Sequence, residues 1–231
     1  MKNKYQHLLF DLDRTIWDFE KNSKEAIKEI YSHFKIDKFQ PDFEIFFNTY
    51  HAINEELWEK YRIGNISKKE LSETRFANTF KTFGFDGTKE GKKAGEMYLE
   101  LSVNKTHTFE GAHETINYLS KSYELHILTN GFKEVQERKL INCNLRDFFS
   151  TIITSEDAGY QKPDLKIFEF AFEQTGANNQ NTIMIGDDES TDIAGAKNAR
   201  MDSIWFNPEG KAPKETPNYQ VKTLPELTTL L

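Results

Sequence analysis

The sequence predicts an α/β protein in which a parallel sheet is interrupted, after its first strand, by a long α-helical insert. A short apolar run, Leu8-Leu9-Phe10, comes first and ends in acidic residues. Apolar side chains at three- and four-residue intervals then dominate residues 22–104, which is the spacing of amphipathic helices. Beyond Thr108, short and nearly continuous apolar runs alternate with helical segments. This alternation is typical of a parallel sheet covered by helices on both faces.

The insert predicts four helices. Pro41 suits the first turn of the second helix, and Ser67 with Glu70 three residues later forms the capping box of the third. The predicted helices pass through Ala26–Phe34, Pro41–Trp58, Ser67–Gly84 and 88–104.

The remaining elements follow the β-α alternation. Pro163 is expected at the first position of its helix, residues 207–219 are expected to form a loop, and Leu224–Leu231 a short closing helix. The predicted strands are 5–10, 124–128, 151–153, 181–185 and 203–206, and the predicted helices are 111–121, 132–142, 164–175 and 190–200.

Composition narrows the class of protein. The chain has 231 residues, 37% of them hydrophobic, and a net charge of −7, which argues against a general surface for nucleic acid polymers. No apolar run approaches the roughly 20 residues of a membrane span. Cys143 is the only cysteine, so an intrachain disulfide is ruled out and a cytoplasmic location is expected.

Two carboxylates, Asp11 and Asp13, stand where the first strand ends. Because open α/β sheets bind ligands at the carboxyl ends of their strands, both acids are expected at a ligand site. One aspartate could attack an electrophile while the other transfers a proton. The alternative is that the segment is only a helix N-cap, which Asp and Thr also favour.

Polar groups follow three further strands. Thr129 and Asn130 precede a helix and could cradle an oxyanion or phosphate together with free backbone N–H groups, although both residues are also good N-caps. Lys162 stands at a helix entrance on the same side of the sheet, where a phosphate site would need a cation; most lysines in loops are simply solvated.

The segment Gly186–Asp192 holds four acids, more than a helix N-terminus requires. Mg²⁺ favours a few carboxylates together with water and substrate phosphate. Asp187, nearest the strand end, is the best-placed ligand, and Asp192 is expected to orient the loop or Lys162. Asp188 and Glu189 fit either role.

Taken together, these motifs resemble the haloacid dehalogenase superfamily of aspartate-nucleophile phosphohydrolases. They stand here as Asp11-Leu12-Asp13-Arg14-Thr15, Leu128-Thr129-Asn130, Lys162-Pro163 and Gly186-Asp187-Asp188 with Asp192. The resemblance implies a Rossmann-like parallel-sheet catalytic core, residues 1–16 and 106–231, with an inserted α-helical cap domain, residues 17–105.

The resemblance extends to the pyrimidine 5′-nucleotidase group. It lies in the segments 57–66, Arg75-Phe76, Thr129–Phe132 and 145–149 with Ser155-Glu156. It implies a nucleoside monophosphate as substrate. Trp17, Phe19, Trp58, Tyr61 and Arg75 are candidates to contact its base or sugar, although aromatic residues at helical spacing more often form the core.

The resemblance also implies the mechanism. Asp11 is the nucleophile that becomes an aspartyl phosphate, and Asp13 is the general acid and base. Mg²⁺ is held by the Asp11 carboxylate, the Asp13 backbone carbonyl and Asp187, while Thr129, Asn130 and Lys162 bind the substrate phosphate. Arg14 departs from the usual motif and has no assigned role.

Two alternatives stay open from the sequence. One is a phosphatase or phosphomutase for a small sugar phosphate or phosphoglycolate. Another is a non-catalytic phosphate-binding regulatory protein of the same fold. The expected partner is a small phosphorylated metabolite, with no membrane partner, and the expected assembly is a monomer or small homo-oligomer.

Overall fold

A parallel β-sheet organises the larger part of the chain. The computed structural model describes residues 4–85 and 87–231. Within them the strands form one sheet in the order β3-β2-β1-β4-β5-β6, and every pairing is parallel. The predicted α/β fold class is therefore confirmed. The strands are β1 His7–Phe10, β2 Glu124–Thr129, β3 Phe149–Thr154, β4 Thr182–Gly186, β5 Asp202–Phe206 and β6 Tyr219–Val221.

The strand order reverses beside β1. The chain builds β1, β2 and β3 toward one edge of the sheet and then crosses to place β4 on the other side of β1. Ligands of open α/β sheets bind outside the carboxyl ends of the strands at such a switch point. The residues that follow β1 and β4 are Asp11 and Asp187, so the topology brings these two predicted site residues to the same place.

The central strands are buried on both faces. On β1, Leu8 and Phe10 pack into one apolar cluster, while Leu9 packs into another on the opposite face with Leu128 and Met184. Side chains alternate along a strand, so two buried faces require the nearly continuous apolar run seen in the sequence. Most strands are longer than predicted, and β6 was missed because it lies in a polar segment.

Helices cover both faces of this sheet. Asp164 caps α8 by accepting a hydrogen bond from the Lys166 N–H, so Pro163 lies before the cap and its predicted place at the first position of the helix is wrong. Part of the predicted helix 190–200 is a π-helical turn, Glu189–Ile193. The helices are α5 Ala112–Leu119, α6 Lys133–Asn142, α7 Ser155–Ala158, α8 Leu165–Thr175, α9 Ala194–Asn198 and α10 Leu227–Leu230.

The insert contains the four predicted helices. The third has the predicted capping box between Ser67 and Glu70. The second begins two residues later than predicted, because the Asp42 carboxylate accepts hydrogen bonds from the N–H groups of Glu44 and Ile45. Aromatic rings form the core of this part. The helices are α1 Phe19–His33, α2 Phe43–Arg62, α3 Lys68–Thr82 and α4 Thr88–Val103.

The chain divides into two compact units. One contains the residues up to Phe19 together with Thr106–Leu231, and the other is Glu20–Lys105. The catalytic and cap roles expected of residues 1–16 with 106–231 and of 17–105 stay predictions. Across residues 4–85 and 87–231, no helix has the length and apolar character that a membrane span requires.

Two buried histidines meet between β1 and β2. Nδ1 of His7 lies 3.1 Å from Nε2 of His126, and the ring centroids are 5.4 Å apart. The facing nitrogens therefore lie between the two rings, as in an in-line hydrogen bond. Burial, with a smaller effect of His7, lowers the pKa of His126 to about 4.

The depressed pKa of His126 predicts a loss of stability in acid. Below about pH 6.5 the unfolded chain binds a proton at this histidine, whereas the folded chain does so only near pH 4, so stability falls across that interval. From pH 7 to 5 we expect His126 to contribute a loss of about 2 kcal/mol in the free energy of unfolding. Urea unfolding of wild type and His126→Leu at both pH values measures this contribution.

His113 is exposed on α5 and provides the matched control. His113→Gln should lose as much stability on acidification as wild type, whereas His126→Leu should lose less. Equal losses in all three proteins would contradict the role of His126.

Candidate active site

Asp11 continues directly from β1 into the proposed site. Its backbone N–H donates to the Ile185 carbonyl on β4, so the ladder extends one residue past the strand. The chain then turns sharply, with Arg14 at a positive φ of 66° and the Trp17 N–H donating to the Leu12 carbonyl. The turn keeps Asp11 buried at the switch point of the sheet.

Lys162 is the cation of this site. Its Nζ donates to Oδ1 of Asp11 at 2.6 Å, to Oδ1 of Asp192 at 2.6 Å and to the Leu128 carbonyl at 2.8 Å. An ammonium group has three donors, and all three are used although the side chain is only 2% exposed. The prediction that Asp192 orients Lys162 agrees with this geometry.

Asn130 holds the loop that carries Lys162. Its side-chain amide donates to the Lys162 carbonyl at 3.0 Å and accepts from the Lys162 N–H at 2.8 Å. Both ends of the amide are thus engaged with the backbone of residue 162. The geometry gives Asn130 a positioning role in this state, whereas the sequence suggested direct contact with the substrate.

Three carboxylates converge beside the lysine. Asp11, Asp187 and Asp192 each offer an oxygen atom, and these atoms lie within 4.8 Å of one another. Asp187 also accepts from the Thr15 hydroxyl at 3.2 Å. Asp192 uses its second oxygen to accept from the Asp188 N–H. Asp11 and Asp187 therefore have more freedom than Asp192 to bind a further cation.

The two acids with ambiguous sequence roles are structural. Asp188 caps the following π-helical turn by accepting from the N–H groups of Ser190 and Thr191. Glu189 accepts from the backbone N–H groups of Lys214 and Glu215. The surplus of acids after β4 thus consists of two site residues and two residues that fix the surrounding backbone.

The site carries uncompensated negative charge. Burial raises the pKa of Asp11 to about 7, against the opposing effect of Lys162 and with a further increase from Asp192. Burial and the charges of Asp11 and Asp192 raise the pKa of Asp187 well above its usual range, although Arg14 opposes this. A cluster of carboxylate oxygens with excess negative charge suits a hard divalent cation such as Mg²⁺.

Asp13 is held apart from the three converging carboxylates. Its Oδ1 accepts from Nζ of Lys139 at 2.6 Å, and its Oδ2 accepts from Nε2 of Gln136 at 2.9 Å. Both donors lie on α6, the helix that follows β2. The carboxylate of Asp13 therefore has its own cation, separate from Lys162.

The loop after β2 is less open than the sequence suggested. The Gly131 N–H donates to the Thr129 hydroxyl at 3.0 Å, and the Lys133 N–H donates to Glu156 at 3.0 Å. The sequence suggested free backbone N–H groups in this loop, but these two already donate within the protein. Thr129 itself lies at the end of β2, as predicted, and is buried.

Comparison with known proteins assigns the family. Residues 8–206 match the haloacid dehalogenase-like hydrolase family. The chain belongs to this family. The resemblance of its four strand-end motifs to the haloacid dehalogenase superfamily is thereby confirmed.

Individual relatives match over almost their whole length. Pyrimidine 5′-nucleotidase PynA of Streptococcus pneumoniae is 32% identical, covering 98% of this chain and 95% of its own. Pyrimidine 5′-nucleotidase YjjG of Escherichia coli is 30% identical, with coverages of 99% and 98%. The HAD-hydrolase YfnB of Bacillus subtilis is 31% identical, with coverages of 99% and 96%. A crystal structure of YfnB bound to magnesium superposes with a TM-score of 0.89 at 30% identity, covering 99% of each chain.

The structure also shows members of the site that the family motifs do not contain. Lys139 and Gln136 hold Asp13, and the indole N–H of Trp205 donates to the Asp187 carbonyl at 2.8 Å. The only sequence signal for the first two is their i, i+3 spacing on one helix. Arg14, which had no predicted role, lies with its guanidinium carbon 4.5 Å from the centroid of the Phe19 ring.

The candidate specificity residues divide between core and partly exposed positions. Trp17 and Arg75 are buried, and Nη1 of Arg75 lies 3.4 Å from Oδ1 of Asn54. Trp58 and Tyr61 are partly exposed, and their rings meet edge to face at 5.6 Å. Their contact with a base or sugar stays a prediction.

The central position of Lys162 predicts a large loss of stability when its charge is removed. Lys162→Met leaves Asp11 and Asp192 buried without their shared cation, so we expect the free energy of unfolding at pH 7 to fall by about 3 kcal/mol. The deficit should shrink toward pH 5, because protonation neutralises the two acids in the folded state. Denaturant unfolding at the two pH values measures both effects.

Lys166 is an exposed lysine at the start of α8, and its Nζ donates a hydrogen bond to the Tyr160 hydroxyl. Lys166→Met should change the free energy of unfolding by no more than about 0.5 kcal/mol. A similarly small change for Lys162→Met would contradict the importance of the buried ion pairs.

Proposed function

We propose that this hydrolase is a Mg²⁺-dependent phosphomonoesterase that acts through an aspartyl phosphate on Asp11, with pyrimidine nucleoside 5′-monophosphates as substrates. The observation that carries the chemistry is the buried Asp11 carboxylate at the switch point, 2.6 Å from the Lys162 ammonium. The full-length similarity to PynA and YjjG supports the substrate class.

Charge is the first obstacle to this reaction. A carboxylate nucleophile and a phosphate repel each other unless nearby groups neutralise them. The Lys162 ammonium places one fixed positive charge beside the Asp11 carboxylate. Mg²⁺ would be held by the carboxylates of Asp11 and Asp187 and by the Asp13 backbone carbonyl, where it would offset the charge of phosphate oxygens.

The chemistry then needs two transfers. An oxygen of Asp11 forms a bond to phosphorus while the bond between phosphorus and the leaving oxygen breaks, and Asp13 gives that oxygen a proton. Water next attacks the aspartyl phosphate, Asp13 takes its proton, and inorganic phosphate and free Asp11 are released. Thr129 and Lys162 are proposed to hold the phosphate, with Asn130 fixing the Lys162 loop and Asp192 orienting the lysine.

Environment separates the roles of the two aspartates. Asp11 is buried among carboxylates and shares the Lys162 ammonium, whereas Asp13 pairs with Lys139 and is more exposed, at 23% of its side-chain surface. Two acids in different surroundings are suited to different tasks. We propose residues 1–19 with 106–231 as the catalytic core and 20–105 as its cap. A cytoplasmic location stays a prediction.

The role of Asp11 is tested by Asp11→Asn. An amide is a poor nucleophile toward phosphorus, so turnover of p-nitrophenyl phosphate in Mg²⁺ should fall by about 10⁴-fold or more. Steady-state kinetics measures the loss, and circular dichroism verifies that the variant is folded.

Asp147 is exposed and offers a matched control. Asp147→Asn should keep wild-type activity. Excess EDTA should stop the wild-type reaction, and added Mg²⁺ should restore it. Substantial turnover by Asp11→Asn, or full activity in EDTA, would contradict the proposed mechanism.

The substrate class is tested with a panel of phosphomonoesters. We expect kcat/KM for UMP, dUMP and dTMP to exceed that for sugar phosphates and phosphoglycolate, because the full-length relatives PynA and YjjG are named pyrimidine 5′-nucleotidases. Release of inorganic phosphate measures each rate. A flat profile, or a preference for a sugar phosphate, would contradict the nucleotidase proposal while leaving the phosphatase chemistry intact.

A further inference from the structure

The proposed general acid and base, Asp13, is fixed by two side chains of one helix. Gln136 and Lys139 are three residues apart on α6, so they lie on the same face of the helix. Each donates to a different carboxylate oxygen of Asp13, at 2.9 and 2.6 Å. A carboxylate held at both oxygens has lost the rotation about its side-chain bonds that a free aspartate keeps.

The Lys139 contact is a buried ion pair. The side chain of Lys139 is 5% exposed, and its Nζ lies 4.0 Å from the centroid of the Trp17 ring. Lysines are rarely buried without a partner, and a pair removed from water is held more firmly than one at the surface. The face of Trp17 and the carboxylate of Asp13 therefore confine the ammonium between them.

Gln136 is confined by the loop that follows β2. A Cβ atom added to Gly131 would lie 1.5 Å from Nε2 of Gln136. Only glycine at position 131 leaves room for the Gln136 amide to reach Asp13. The other end of that amide, Oε1, is buried and has no hydrogen-bond partner among the residues the structure describes. Its donor end is thus directed at Asp13.

We propose that Lys139 and Gln136 are positioning residues that hold Asp13 in the orientation needed for proton transfer. This inference rests on the proposed phosphatase function. Proton transfer requires a heavy-atom distance of roughly 2.6–3.2 Å in a defined direction. Two donors that hydrogen-bond to the two carboxylate oxygens restrict Asp13 to one orientation. Neither donor needs to contact the substrate.

The test compares two substrates that differ in their need for a proton. Phenyl phosphate releases a basic phenolate that general acid catalysis assists strongly, whereas p-nitrophenyl phosphate releases a stable anion. Both are aryl phosphates, and they differ only in the para nitro group. Single-turnover release of the phenol from Mg²⁺-loaded enzyme isolates formation of the aspartyl phosphate, where Asp13 acts as the acid.

Lys139→Met and Gln136→Met should each slow release from phenyl phosphate by about 10- to 100-fold. Release from p-nitrophenyl phosphate should change less than about threefold, because that step needs little proton donation. In the steady state, kcat for phenyl phosphate should fall with little change in KM. Lys139→Arg, which keeps a charged donor, should recover part of the lost rate.

Arg138 is exposed on the same helix, and Arg138→Met is the matched control that should behave as wild type. If the variants slow both substrates equally, Lys139 and Gln136 only maintain local structure. If the rates are unchanged, Asp13 needs neither residue. Either result overturns the inference. If Lys139→Met does not fold, Gln136→Met decides by the same criteria. A wild-type protein that hydrolyses neither substrate would contradict the proposed function itself.

Discussion

The buried ammonium of Lys162 is the interaction on which the rest of the site depends. It joins the end of β1 through Asp11, the end of β2 through the Leu128 carbonyl and the segment after β4 through Asp192. Burying one charge alone is costly, and bringing two carboxylates together without a cation costs more. Because all three donors of the lysine are used, the carboxyl ends of three strands are fixed relative to one another.

The same charges show why the site has room for a metal. Asp11, Asp187 and Asp192 bring three carboxylates close together, and Lys162 balances only part of their charge. Burial raises the pKa values of Asp11 and Asp187, and the neighbouring carboxylates raise them further. Asp192 is committed to Lys162 and to the backbone of residue 188, so the remaining negative charge is concentrated on Asp11 and Asp187.

The sequence could predict a site residue only where its position in the chain shows a recognisable pattern. Asp11, Thr129 and Asp187 end buried strands, so topology alone brings them to one edge. Lys162 stands in a loop, and only its partners distinguish it from a solvated lysine. Lys139 and Gln136 leave almost no signal, because two polar residues within the polar sequence of α6 suggest an exposed face.

Some helix starts and one strand could not be predicted from the sequence, for a related reason. Helix starts at Pro41 and Pro163 were predicted from local preference, whereas the hydrogen bonds of Asp42 and Asp164 decide where the helices begin. Strand β6 depends on the edge offered by β5 and has little apolar pattern of its own. Such features are determined by partners distant in sequence, which periodicity does not report.

Helix α6 connects the loop that is proposed to bind the substrate phosphate with the aspartate that is proposed to transfer protons. Its amino end follows the loop of Thr129 and Gly131, and its next turn carries the side chains that hold Asp13. An apolar residue at 136 or 139 would avoid the cost of burying an amide or a charge. Polar side chains buried at that cost are better explained by their contacts with Asp13 than by stability. The close approach of Gly131 to Gln136 places the loop after β2 directly against a side chain that holds the acid.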